Sequence, residues 1–485
     1  MTERHFIIIV QKSSYPQMGA LYLTNALSLH GISTHVIGSE ATTDELDALI
    51  EKYDPVAVGC SVMTAPELVD FVRHSLHVQE KYNRTAKNIP VIWGGMHPTI
   101  VWEQTIQEPY IDIVVSGEAE VTLPRLLHDL IERNQLPERK LVQVDTPAVL
   151  DDFRPEWQAV NLDKFVFPES HSVHADIAFQ KQNIFYYLLS SRGCTYRCNF
   201  CWEVARTAAL KQEMRASSLD VDLTWRAHST EWIEKQLDHV GESLGATGKT
   251  MDGVGFWDDM IFGRGREDHL GRAKRVFELM QERSFGYLLE VRANQLIGGG
   301  DYWSRVGSFR EADLYKFLKE TGCLQVFVGT ESGNQETLNS IQKGTKLVDY
   351  LRLVEVSRDV GLPLRFSMIV GFPSETDASV NDTLDLIETL EDEPYISVSG
   401  PKLFTPYPGT PQYQAAVDRG MKVPSETLGW ARLNRYADYR SLYPWLEANC
   451  SKQTLNRIDS FWEQVPREKK YRADEDVILQ MVRKH

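Results

Sequence analysis

Cys194, Cys198 and Cys201 stand on one short stretch with the spacing C-x3-C-x2-C, behind a Ser190-Ser191-Arg192-Gly193 turn and an apolar run from Phe185. Three thiolates on a single loop hold three irons of a cubane cluster and leave the fourth without a cysteine. An iron open in this way is reactive. The rival is a zinc site, which needs a fourth ligand, and His171 or His174 could be nominated. Structural zinc loops usually come as two C-x2-C pairs, and one triplet favours the cluster. The other three of the six cysteines, Cys60, Cys323 and Cys450, are scattered, too few for a secreted disulfide scaffold.

A second group of residues offers space instead of reactivity. Ser61-Val62-Met63-Thr64, Gly94-Gly95-Met96-His97-Pro98-Thr99 and Ser116-Gly117-Glu118-Ala119-Glu120 each follow a short apolar run. Glycine pairs let a backbone approach a flat, bulky ligand, and small hydroxyls bond its substituents without filling the space. Taken singly, each glycine reads first as closing a tight turn. His97 reads first as a hydrogen-bonded loop residue and only second as an axial metal ligand. No G-x-G-x-x-G follows the first apolar run, so a dinucleotide is not indicated. Ser243 to Thr250 ends like a P-loop, but Ser243 replaces the first glycine and the segment precedes a strand, so it reads as a connection.

Both groups need elements to hold them. Phe6–Val10, Thr34–Ile37, Ala57–Cys60, Val91–Trp93 and Ile113–Val115 read as buried strands, and 18–30, 43–52, 65–82 and 118–133 as amphipathic helices. That βαβα order predicts a doubly wound, Rossmann-like parallel sheet over residues 1–150, with its ligand beyond the carboxyl ends of the strands. Further strands near 185, 254, 288, 325, 365 and 397 predict a second α/β unit over 181–411. Residues 151–180 read as a linker. Residues 412–485 are helical in pattern, and their aromatics, Trp430, Tyr436, Tyr439, Tyr443, Trp445 and Trp462, read as core before pocket lining.

At 485 residues the chain has room for two or three domains, which favours an enzyme. No apolar run reaches the roughly 20 residues of a membrane span. The first apolar run is too short for a signal-peptide core, so a cytoplasmic location is expected. A net charge of -16 argues against nucleic acid and for small-molecule or peptide partners.

The ordered set Gly19–Leu23, Val58–Ser61, Gly94–Thr99 and Gly117–Glu120 resembles the cobalamin-binding domain that precedes many radical S-adenosylmethionine (SAM) enzymes, and the three-cysteine loop is the signature of that superfamily. The resemblance implies cobalamin against Ser61, Met63, Thr64, Gly94, Gly95, Met96, His97, Pro98, Thr99, Gly117 and Glu118. The chain lacks the D-x-H-x-x-G loop whose histidine replaces the lower axial ligand, so lower-face coordination is not implied. The resemblance also implies a 4Fe-4S cluster on Cys194, Cys198 and Cys201, with SAM on the open iron. Four segments, Asp258–Phe262, Leu288–Asn294, Gln325–Gly333 and Leu364–Thr376, are similar in order to the family's SAM-contacting strand ends. With Phe200 of the cysteine loop, the resemblance implies SAM against Asp258, Asp259, Glu290, Arg292, Glu331, Ser332, Ser367, Val370 and Gly371. Six βα units then imply an open, partial (β/α)6 barrel.

The activity so implied is cobalamin-dependent methyl transfer to an unactivated carbon, begun by a 5′-deoxyadenosyl radical, with an external flavodoxin- or ferredoxin-like electron donor and no protein acid or base nominated. The alternative is a cyclase, ring-contracting or oxidative enzyme with the same cofactors. A tRNA methylthiotransferase would need extra amino-terminal cysteines, and Cys60 is alone there. A non-catalytic sensor would not need the SAM-contacting segments.

Overall fold

A computed structural model describes residues 3–11, 18–83, 87–133, 135–137, 140–143, 152, 185–216, 225–245, 253–263, 266–297, 311–433 and 439–463. The segment 153–180, His171 and His174 included, and Tyr436 lie outside these described residues.

The first sheet contains β1 (Arg4–Val10), β2 (Ile32–Gly38), β3 (Ala57–Ser61), β4 (Val91–Gly94), β5 (Ile113–Ser116) and β6 (Leu141–Gln143), in the order β2-β1-β3-β4-β5-β6. All pairings are parallel. Alternation along β1 explains the layers. Ile7 and Ile9 join the core shared with the rest of the molecule, while Phe6 and Ile8 join a separate core with Ile92, Leu123 and Leu127 on the other face. The anticipated helices appear as Met18–Leu29, Thr43–Tyr53, Leu68–Val78 and Thr122–Arg133. The last starts later than its sequence pattern predicts, because Gly117 adopts φ +93° and the chain turns before it coils.

The second sheet contains β7 (Phe185–Leu188), β10 (Gly253–Phe256), β11 (Gly286–Arg292), β12 (Cys323–Glu331), β13 (Leu364–Val370) and β14 (Ile396–Leu403). Its order, β14-β13-β12-β11-β10-β7, is parallel throughout and follows the chain, as a six-stranded open barrel requires. A two-residue antiparallel pair, β8 (Ser191–Arg192) and β9 (Arg226–Ala227), flanks the cysteine loop.

The carboxyl-terminal region packs as core. Trp430, Tyr443, Trp445 and Trp462 are buried. Their polar atoms are spent on backbone: Tyr443 Oη donates to Phe404 O at 2.7 Å, Trp445 Nε1 to Gly371 O at 3.0 Å and Trp462 Nε1 to Pro401 O at 2.7 Å. Trp430 Nε1 instead reaches Gln104 Oε1 of the first domain at 2.6 Å, so this region holds both sheets at once. No described helix is long and apolar enough to cross a membrane.

Candidate functional site

The cysteine loop leaves β7 through Ser190 and Ser191, and a buried carboxylate anchors that turn. Asp258, just past β10, accepts from Ser190 N at 3.1 Å, from Ser190 Oγ at 2.9 Å and from Ser191 Oγ. Further along, Asn199 N donates to Ile341 O at 3.1 Å and its amide to Ser340 O at 2.8 Å. Phe200 meets Phe372 edge-on at 5.4 Å. These bonds fix the loop from two sides.

Cys198 is buried, and Cys194 and Cys201 are half-buried. Burial pushes the Cys194 thiol up to about 11 and the Cys201 thiol further still. Thiols so placed would lose their protons to solvent only when a metal cation takes the thiolate sulfur, which is the condition an iron cluster would supply. Arg292 Nη1 lies 2.7 Å from Cys198 Sγ, and its guanidinium stacks on Tyr196 at 3.7 Å. Among the described residues no three His, Cys, Asp or Glu groups converge on a single ion. A cubane distributes its thiolates over three irons and needs no such convergence, so the donor set fits it.

Asp259 and Asp258 are neighbours in sequence with opposite surroundings. Asp259 is solvent-reachable yet lies among protein groups, beside Glu203 and the Gly193 backbone. That burial first, and the Glu203 carboxylate next, push its carboxyl well above the usual range. On β11, Glu290 and Arg292 share a face, as their spacing requires. Glu331 ends β12 in the left-handed region, φ +71°, beside a register shift, and pairs with Lys343 Nζ at 2.6 Å in a buried contact.

Other strand-end residues are buried and packed against neighbouring elements. Ser332 is buried and shares a 3.0 Å hydrogen bond with Thr383 of the helix Asp377–Glu391. Ser367 and Val370 are buried in β13. Gly371, at φ +97°, faces Leu403, Leu446 and Tyr443, so a Cβ there would meet the carboxyl-terminal region. Asp258, Ser332 and Gly371 thus tie the strand ends to the cysteine turn, to a neighbouring helix and to the carboxyl-terminal region.

Gly371 N and Phe372 N donate to Glu375 Oε2 at 2.6 and 2.9 Å. Burial outweighs these bonds and raises the Glu375 carboxyl from its ordinary 4.5 to about 8. Between those values the unfolded chain has lost this proton and the folded chain keeps it, so stability falls as pH rises. Glu375→Gln preserves an acceptor and is expected to flatten that decline by on the order of a few kcal/mol between about pH 5 and about pH 8. Urea unfolding of both proteins across that window checks it, and parallel curves would refute it.

In the first domain the loops after β3, β4 and β5 are cross-bonded. His97 N donates to Val62 O at 3.0 Å, Thr99 Oγ1 to Gly95 O at 2.7 Å, and Gly117 N to Thr99 Oγ1 at 3.0 Å. Gly95, at φ +100°, is needed because a Cβ would sit 2.9 Å from Val62 N and O. Gly94 has ordinary space, with Val115 O at 3.6 Å. Ser61, Met63, Gly94, Gly95 and Met96 remain accessible as a shelf, whereas Thr64, His97, Pro98 and Thr99 are buried beneath it. His97 Nδ1 bonds Thr64 Oγ1 at 3.0 Å, and the ring lies edge-on to Trp430. Burial lowers its pKa to about 3, leaving a neutral, enclosed imidazole in the hydrogen-bonded role. The shelf's small residues and open glycine fit a large planar ligand.

Glu203, Arg206, Tyr196, Lys343 and Glu375 are not among the individual residues that the sequence nominates. Their one local signal is a charged or polar group within or beside a segment that must be buried, such as Lys343 in Ile341-Gln342-Lys343-Gly344-Thr345.

Comparison with known proteins gives the B12 binding domain over residues 4–127 and the Radical SAM superfamily over residues 188–387. An uncharacterized methyltransferase, PH0819, from Pyrococcus horikoshii is 25% identical over 92% of this chain and 88% of its own length. The anaerobic magnesium-protoporphyrin IX monomethyl ester cyclase of Rubrivivax gelatinosus is 23% identical over 84% of this chain and 67% of its own. Among solved structures, the radical SAM methyltransferase TsrM from Kitasatospora setae aligns with TM-score 0.60 and 16% identity, over 94% of this chain and 89% of TsrM. The cobalamin-dependent enzyme OxsB aligns with TM-score 0.59 and 17% identity, covering 82% of this chain and about half, 53%, of OxsB.

Proposed function

We infer, from the premise that this chain belongs to the cobalamin-dependent radical SAM enzymes, that it methylates an unactivated carbon of a small-molecule or peptide substrate. One observation carries the reading. The accessible shelf of the first sheet and the cysteine loop of the second lie at the carboxyl ends of their strands, and the short helix Met96–Ile100 packs against the helix Trp202–Ala216 that follows Cys201. Similarity to a methyltransferase along most of the chain supports the same choice.

In this reading Cys194, Cys198 and Cys201 hold the 4Fe-4S cluster. Bound together, cluster, SAM and cobalamin supply a carbon-centred radical and a methyl donor. The chain supplies position and exclusion of water. Asp259, Glu290 and Arg292 face SAM, while Asp258, Glu331 and Ser332 keep the strand ends in place around it. Phe200, with Phe372, walls the site on one side. Ser61, Met63, Gly94, Gly95 and Met96 carry the corrin, supported from below by Thr64, His97, Pro98 and Thr99. Reduction comes from an external one-electron donor.

The similarity to the cyclase supports a second reading, ring closure without methyl transfer. With methyl-deuterated SAM, a methyltransferase is expected to yield one 5′-deoxyadenosine and one S-adenosylhomocysteine for each labelled product. Chromatography and mass spectrometry measure all three. Product formed with 5′-deoxyadenosine but with neither label nor S-adenosylhomocysteine would replace the first reading by the second.

A further inference from the structure

Glu118 and Glu120, on the loop after β5, direct their carboxylates out of their own domain. Arg226 Nη2 donates to Glu118 Oε1, Arg206 Nη1 lies 3.4 Å from the same oxygen, and Arg192 Nη1 lies 3.5 Å from Glu118 Oε2. Arg192 Nη1 also meets Glu120 Oε1 at 2.7 Å. Side-chain exposure in this group runs only from 5% to 15%, so these charges are held almost out of water. The three guanidinium groups all belong to the second domain and bracket the cysteine loop. Arg192 stands on β8 ahead of Cys194, Arg226 on its partner β9, and Arg206 in the helix that begins after Cys201.

Three carboxylates face the three guanidinium groups, with Asp259 beside Glu203 at the edge of the group. Arg206 grips Glu203 with two bonds of 2.9 Å, so Glu118, Glu120 and Glu203 oppose Arg192, Arg206 and Arg226. Arg192 also lies over the ring of Tyr22, 4.8 Å away on the first domain's helix Met18–Leu29. Buried ion pairs add little net stability, because desolvation offsets their attraction. They are directional, since a guanidinium fork accepts a carboxylate only in a few orientations. A single carboxylate tied to both ends of one loop therefore specifies orientation between two bodies more than it adds stability.

We propose that Glu118 is a positioning residue that registers the cobalamin shelf against the cysteine loop, so that radical formation and methyl delivery meet at one substrate carbon. This assignment rests on the methyltransferase reading for its second half only. It replaces the expectation that the Glu118 carboxylate contacts cobalamin.

The test uses the full chain carrying cluster and cobalamin, as wild type, Glu118→Gln and Arg226→Gln. Iron and corrinoid contents are expected to stay within about twofold of wild type, while amide hydrogen exchange in 113–120 and 189–206 rises by about tenfold or more. The ratio of 5′-deoxyadenosine to methylated product is expected to rise by roughly fivefold, with Arg226→Lys recovering part of it because the charge returns without the fork. Should Glu118→Gln fail to fold, Arg226→Gln carries the test, since Glu118 keeps Arg192 and Arg206. Corrinoid lost from Glu118→Gln with exchange in 189–206 unchanged would make Glu118 a cobalamin contact and overturn the proposal. So would wild-type exchange and coupling in both variants. The exchange measurement does not depend on the reaction. Raised exchange alongside a wild type that makes no methylated product would retain the bridge and remove the methyltransferase reading.

Discussion

Alanine at Cys194, Cys198 or Cys201 is expected to abolish cluster binding and to lower 5′-deoxyadenosine formation by roughly a thousandfold or more, because a group that acts as one unit loses its whole contribution with any member. The surroundings explain why two thiols do not suffice. Burial opposes the thiolate at Cys194 and Cys201, and the neighbouring guanidinium of Arg292 reaches Cys198, so the remaining pair would hold charge in a site that needs iron to offset it. Alanine at the other cysteines provides the contrast. Cys60 lies beside Ser75 in the first domain, Cys323 is buried at the start of β12, and Cys450 is half-buried near Glu375. Each of these variants is expected to keep about four irons per chain and cleave SAM. Iron analysis and chromatography of 5′-deoxyadenosine after anaerobic reconstitution decide the matter, and undiminished cleavage by Cys198→Ala would end the cluster assignment.

Lys343→Met is expected to cost roughly 3–5 kcal/mol of folding stability by leaving the Glu331 carboxylate buried without its partner. The pair has no room to relax. Side-chain exposure is 6% for Lys343 and 9% for Glu331, and a Cβ on Gly329 would lie 2.9 Å from both charged groups. Glu331 also holds a left-handed backbone that a glutamate adopts only when its surroundings compel it. The double variant Glu331→Gln/Lys343→Met removes both charges and is expected to recover most of the loss, by the logic of a double-mutant cycle. Denaturant midpoints measure all of this. A wild-type midpoint in Lys343→Met would show that the pair does not secure the end of β12.

Much of the architecture was legible because it rests on local patterns. Strands covered on both faces read as apolar runs, and the helices between them keep their periodicity, so βα order and parallel sheets follow from short windows. The cysteine triplet is equally local, since its spacing needs only one loop. Short elements left no such trace: β6 has three residues, and β8 and β9 have two each, too few to establish a period. Side-chain direction at a strand end was likewise beyond sequence. Asp258 and Asp259 are adjacent and chemically identical, yet one is buried and anchors the Ser190 turn while the other is exposed, because successive residues leave the backbone in different directions.

Partner choice was decided by tertiary packing alone. His97 and Thr64 lie 33 residues apart, and only the fold brings them into a hydrogen bond. Glu118 finds Arg206 and Arg226 at separations of 88 and 108 residues. The sequence by itself determined the order of the strands, the loops that follow them and the spacing of the three cysteines, all of which are fixed by neighbours within a turn or a strand. Which carboxylate meets which guanidinium, and hence how the two sheets face each other, depends on where distant segments are buried, because a charge leaves water only where the completed fold supplies its counterpart.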